Sequence, residues 1–257
     1  MAADNDVKSR LLSDQLPSVT LEYSLMREFV HFREQGITNL YVIPSHSSPF
    51  RWFGVTFIHE GLYRGAIIRF SLEVPHDYPD TASCPKIFFE PIVFHPLINP
   101  QTGELNTKYK FYEWKRNDNH LSDVLMFAKT IFTQLNDVLK EEYINSKSND
   151  LIHKFYAENV KLYRNNFEEF KAKVTETVAE CHNKLFDKLS YGEDQNAFVF
   201  GPWNPEIHEE LRKKLIAGKN VADEILESVD DNNRNNSSTG LSWVQKGSLQ
   251  MFSKSFT

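Results

Sequence analysis

The chain has 257 residues, 40% of them hydrophobic and 25% charged, with a formal net charge of −6 and a pI near 5.9. At roughly 100–200 residues per domain this length suits one domain with extensions. The acidic balance gives no global attraction for nucleic acid or an anionic membrane, so protein partners are expected. Its two cysteines, Cys84 and Cys181, form no CxxC pair, which argues against a disulfide framework or a zinc site and points to a reducing compartment. No run reaches about 18 consecutive apolar residues and the first stretch lacks an apolar core, so a cytoplasmic protein without a membrane span is expected.

Residues 1–17 are polar and read as a flexible N-terminus. Leu21, Leu25, Phe29 and Phe32 then recur at helical spacing and predict a helix over 19–35, with Ser18 or Thr20 as N-cap and Gly36 as its stop. Four runs separated by Pro, Gly, Ser or Asp follow, 40–43, 52–58, 67–74 and 87–89, and read as an antiparallel meander. In the third, Ile68, Phe70, Leu72 and Val74 alternate with Ile67, Arg69, Ser71 and Glu73, which predicts one packed face and one largely wet.

A helix from Leu121 carries a broad apolar stripe through Leu139 and is the expected cover for the sheet. Beyond Asp150, Tyr163, Phe167, Phe170, Val174, Val178, Cys181, Leu185 and Leu189 recur every three or four residues, predicting one long helix. Such a stripe is more often internal packing than a docking face. The domain is expected to span 18–190. An extension over 191–227 holds an aromatic segment, Phe198 to Trp203, and a short helix opened by Asn204-Pro205. Residues 228–240 are almost wholly polar and read as a disordered linker, and 241–257 form an apolar tail.

The most informative stretch lies between sheet and helix, where Pro, Gly and aromatic residues crowd into one connector. Tyr78-Pro79, Pro85-Lys86-Ile87-Phe88-Phe89, Phe94-His95-Pro96-Leu97-Ile98, Gly103-Glu104-Leu105-Asn106 and Trp114 follow one another there. In this order they resemble the core signature of the ubiquitin-conjugating enzyme family, with the turn between His95 and Gly103 one residue longer. The resemblance implies an α+β fold: an N-terminal helix, a four-stranded antiparallel meander and C-terminal helices, here with a helical and partly disordered extension.

The departures fall on the two chemical positions. Asn106 stands where the family has its cysteine nucleophile, and an amide cannot form the thioester that carries ubiquitin. Leu97 stands where the family has an asparagine that donates to developing oxyanion charge, a contribution of roughly 2.7–4 kcal/mol at comparable sites. No catalytic residue, cofactor or metal is therefore expected. His95 reads as a structural histidine bonded to backbone rather than a base or ligand, since no convergent ligand set accompanies it. Cys84, before Pro85, reads as a small semi-buried residue. The run Lys108 to Arg116 interleaves bases and aromatics, but one short patch on an acidic chain reads as a loop over the degenerate site rather than a nucleic-acid platform.

A narrower resemblance rests on His-Pro-Leu, on Gly-Glu-Leu followed by a non-Cys residue, on Trp114-Lys115-Arg116-Asn117, and on the Phe-x-Phe-x-Pro-Trp-Asn-Pro segment and tail. These are similar to the fused-toes/crossbronx (FTS) subfamily. That resemblance implies a non-catalytic adaptor binding Hook-type coiled-coil proteins in vesicle and endosome transport. The alternative is a ubiquitin-pathway cofactor that binds ubiquitin or an active conjugating enzyme non-covalently, and a third reading is an active enzyme using Cys84. Phe198, Phe200, Trp203, Trp243 and Phe252 are the candidate partner-binding residues.

Overall fold

Helix α1 (20–34) turns Leu25 and Phe32 into the core and ends at Gly36, whose φ of +58° is the left-handed stop a glycine takes without a Cβ clash. The computed structural model describes residues 20–111, 113–139 and 151–216. The expectations for 1–17, 228–240 and 241–257, with Trp243 and Phe252, lie outside them. The chain divides into two units, Met1–Phe198 and Val199–Thr257.

In the first unit, β1 (Leu40–Pro44), β2 (Arg51–Phe57), β3 (Ile67–Glu73) and β4 (Lys86–Phe89) pair antiparallel in sequence order. The register runs across the sheet through Val42, Gly54, Phe70 and Phe89. Gly54 is needed there because a Cβ would sit 2.1 Å from the Phe70 ring. The inner face buries Ile68, Phe70, Leu72, Ile87 and Phe89 against α2 (Leu121–Thr133). Glu28 of α1 holds the start of α2, accepting from Leu121 N at 2.9 Å, while Asp123 accepts from His120 N at 2.8 Å.

Two helical expectations need correction. The stripe from Leu121 to Leu139 is not one helix: α2 ends at Gln134, and a short α3 (Leu135–Val138) follows, keeping Leu135 and Leu139 buried. The long helix is likewise two, α4 (Leu151–Asn165) and α5 (Phe167–Asn183). Asn166 leaves helical geometry and its side chain accepts from Glu169 N at 3.3 Å, so an Asn-x-x-Glu N-terminal signature interrupts a periodicity that by itself runs straight through. Phe170, Val174 and Cys181 are buried on α5, so most of this stripe is internal packing, whereas Phe167 is exposed.

The outer face of β3 is not wet. Arg69 and Ser71 are only 3% and 5% exposed, because a strap formed by the residues after α5 runs over this face. Arg69 donates to the carbonyls of Lys184 (2.8 Å) and Asp187 (3.3 Å). Tyr191 stacks on Phe53 at 4.6 Å between centroids, and Glu90 accepts from the amide and hydroxyl of Ser190 at 2.9 and 2.7 Å. Asp194 fastens the far end to the 45–47 loop, and Asn196 Nδ2 donates to Pro44 O at 2.9 Å. In the second unit, α6 (Pro205–Ile216) begins as expected, with Asn204 Oδ1 accepting from Glu206 N at 3.0 Å.

Candidate functional site

The connector after β4 folds back on that strand. Phe89 N donates to Gly103 O at 3.0 Å and Leu105 N to Ile87 O at 2.8 Å, while Ile98 and Leu105 bridge across the connector itself. Gly103 takes φ +72°, and a Cβ there would lie 2.6 Å from the Phe89 carbonyl oxygen, so the turn requires glycine twice over. This hairpin brings Asn106 and Leu97 together: Asn106 N donates to Leu97 O at 2.8 Å. Leu97 is fully buried and Asn106 is 9% exposed. The Leu97 side chain therefore belongs to the core and offers no hydrogen-bond donor to a substrate.

His95 beneath them is fully buried. Its Nδ1 accepts from Leu97 N at 3.0 Å, which leaves Nε2–H to donate to Ile131 O at 3.1 Å. Burial lowers its pKa to about 3, against the smaller opposing effect of the Ile131 bond, so the ring is neutral near pH 7 and pins the loop to α2. Pro85 and Pro96 are buried, Pro79 and Phe94 half-buried. Tyr78 and Trp114 pack as one buried aromatic wall, 6.1 Å apart. Burial, reinforced by Glu28, pushes the Tyr78 hydroxyl far above its usual range.

Cys84 lies beside this site, half-buried and hydrogen-bonded to the Thr107 side chain. Burial nevertheless pushes its thiol up to about 11, so only on the order of 10⁻⁴ of it ionises at pH 7. Cys181 is buried on α5, its thiol also raised to about 11 by burial. Among the described residues no group of three or more His, Cys, Asp or Glu could hold a metal, and no helix is long and apolar enough to cross a membrane. In the basic-aromatic run, Phe111 and Trp114 are buried, Tyr109 stacks on Phe127, and Arg116 pairs with Asp80 at 2.6 Å. Among the described residues of this run, the Phe111 and Trp114 rings are turned into the core rather than offered to bases.

Of the candidate partner-binding residues, Phe198 and Phe200 are half-buried and Trp203 is 56% exposed, its ring 5.1 Å from His208. Sequence reasoning missed Ile207 and Leu211, which α6 leaves exposed four residues apart; that spacing was the available signal. It also missed Asp194, an exposed-looking acid in a polar break, for which no local pattern gives a partner 149 residues away.

The ubiquitin-conjugating enzyme family pattern matches residues 24–178. The chain is 40% identical over 234 residues to AKT-interacting protein of Danio rerio, covering 91% of this chain and 72% of that one, and 38% identical with the same coverage to AKT-interacting protein of Homo sapiens. A crystal structure of a putative ubiquitin conjugating enzyme from Plasmodium yoelii aligns at TM-score 0.47 and 22% identity, over 62% of this chain and 94% of that one. With the family pattern spanning more than half of its residues and this identity across nine-tenths of its length, the chain belongs to the ubiquitin-conjugating enzyme family, in the fused-toes branch that includes the AKT-interacting proteins.

Proposed function

We propose that this protein is a non-catalytic ubiquitin-conjugating-enzyme-like adaptor that acts in the cytoplasm by binding other proteins. The observation that carries the reading is the pair Asn106 and Leu97, held 2.8 Å apart by a backbone bond where the chemistry would occur: an amide in place of a thiol, and a buried alkyl group in place of a donor. Cys84 does not substitute, because burial keeps it protonated.

The partner proposed from the subfamily resemblance is a Hook-type coiled-coil protein of vesicle and endosome transport. The name of the relatives, AKT-interacting protein, supports protein binding and adds AKT as a second candidate. The exposed Trp203, with Phe198, Phe200, Trp243 and Phe252, are the residues proposed for docking. Affinity capture with the intact chain and with a chain ending at Phe198 tests this. Hook-type proteins retained only by the intact chain agree with the reading. Capture of conjugating enzymes or ubiquitin instead favours the ubiquitin-cofactor alternative.

A further inference from the structure

The strap after α5 occupies the outer sheet face as a ligand would, through polar anchors, the Tyr191 ring and one buried aliphatic side chain, Leu189. Phe53 is 1% exposed beneath Tyr191, and Asp194 accepts from both serine hydroxyls and from the His46 and Ser47 amides that the 45–47 loop directs at it. Open cavities of about 540, 490 and 380 Å³ border the strap. The Tyr191 hydroxyl is buried without a hydrogen-bond partner. A segment without regular secondary structure, bordered by solvent-open clefts and anchored largely by side-chain hydrogen bonds, is the kind of unit that opens without global unfolding. The face below it is preformed, because β2 and β3 are fixed by the sheet and by the inner core.

We propose that this outer sheet face is a peptide-docking groove which the chain's own strap fills in cis, and that its partners are segments with the strap's chemistry, an aromatic residue followed at the third position by a carboxylate, Tyr-x-x-Asp. The ring replaces Tyr191 over Phe53, the carboxylate replaces Asp194 at Ser45, His46 N and Ser47, and main-chain carbonyls receive Arg69. The strap competes at the high effective concentration of a tethered ligand, so an incoming peptide binds only the open fraction. This inference stands independently of the adaptor reading, since it rests on β2, β3, the 45–47 loop and the strap and on none of the residues proposed there.

The test uses the full chain and a fluorescein-labelled peptide of residues 187–196. The variant Tyr191→Ala/Asp194→Ala, which disarms the strap, is expected to bind the peptide saturably and at least about tenfold tighter than the unaltered chain does. A peptide carrying Asp194→Ala is expected to lose that binding. No binding by a variant that still melts cooperatively, equal affinity for both chains, or equal affinity of the two peptides overturns the proposal. Hydrogen exchange on the unaltered chain tests it without any variant: strap amides should exchange at least about tenfold faster than those of β2 and β3. Equal rates would mean that the strap opens only when the domain unfolds, which also overturns it.

Discussion

Replacing Asp194 by Ala should cost the domain more than its place in a polar surface break suggests. The carboxylate accepts from Ser45 Oγ at 2.6 Å, Ser47 Oγ at 2.8 Å, Asn196 N at 2.9 Å and His46 N at 3.0 Å. Hydrogen bonds to a charged group contribute about 1.5–3 kcal/mol each. Asp194 is partly exposed, so water recovers much of that for the outer partners, but Ser45 is 1% exposed and is left with only the longer contact to Ser47 Oγ at 3.1 Å. The net cost is therefore about 2–3 kcal/mol, which for a domain of this size lowers Tm by about 4–12 °C. Calorimetry at pH 7 measures it, and a cost below about 0.5 kcal/mol, the level of an ordinary surface change, would refute the latch.

The pH dependence carries the sign. Desolvation raises the Asp194 pKa, but the hydrogen bonds from Ser45, His46 N, Asn196 N and Ser47 outweigh it and hold the pKa well below the usual carboxylate range. A depressed folded pKa adds stability that is full above the unfolded value near 3.9 and is lost as pH falls from there toward the folded one. The gap between the unaltered chain and Asp194→Asn should thus stay constant from pH 7 to about 5 and narrow only below about 4.

His95, with a folded pKa lowered to about 3, should make the whole domain lose stability as pH falls below about 6.5, by up to ~1.4 kcal/mol per unit, and His95→Gln should remove most of that slope in urea titrations. Gly103→Ala should cost about 2 kcal/mol or more in the same assay, since the new Cβ meets the Phe89 carbonyl at 2.6 Å in a positive-φ turn. Asn106→Cys should charge weakly with ubiquitin and discharge to lysine about 10²–10³-fold more slowly than an active conjugating enzyme, because Leu97 still lacks the donor. Trp243→Ala should weaken partner binding by about 2 kcal/mol or more in calorimetric titration and leave Tm unchanged, whereas a matching loss of Tm would place Trp243 in the fold.

The meander, the first helix and the connector were legible because each rests on a local signal: a period of two or 3.6 residues, or a glycine and proline at a turn. Asn106 and Leu97 were singled out by the family resemblance, yet nothing local said that a backbone bond would join them. The helix break at Asn166 was signalled by Glu169 three residues on, but the apolar period runs through it and outweighed the cap. Arg69 shows the deeper limit. Alternation assigns a side chain to a face and is silent on what covers that face, so a guanidinium that caps the carbonyls after α5 reads as solvated. Coverage depends on contacts more than 100 residues apart, which periodicity does not encode.

We propose that this fold has lost its transfer chemistry. Incubating the full chain with ubiquitin-activating enzyme, ATP and ubiquitin, then resolving products with and without reductant, tests it most directly. The arrangement of Asn106, Leu97 and the protonated Cys84 predicts no thiol-sensitive adduct. A reducible ubiquitin adduct that disappears in Cys84→Ser would contradict it.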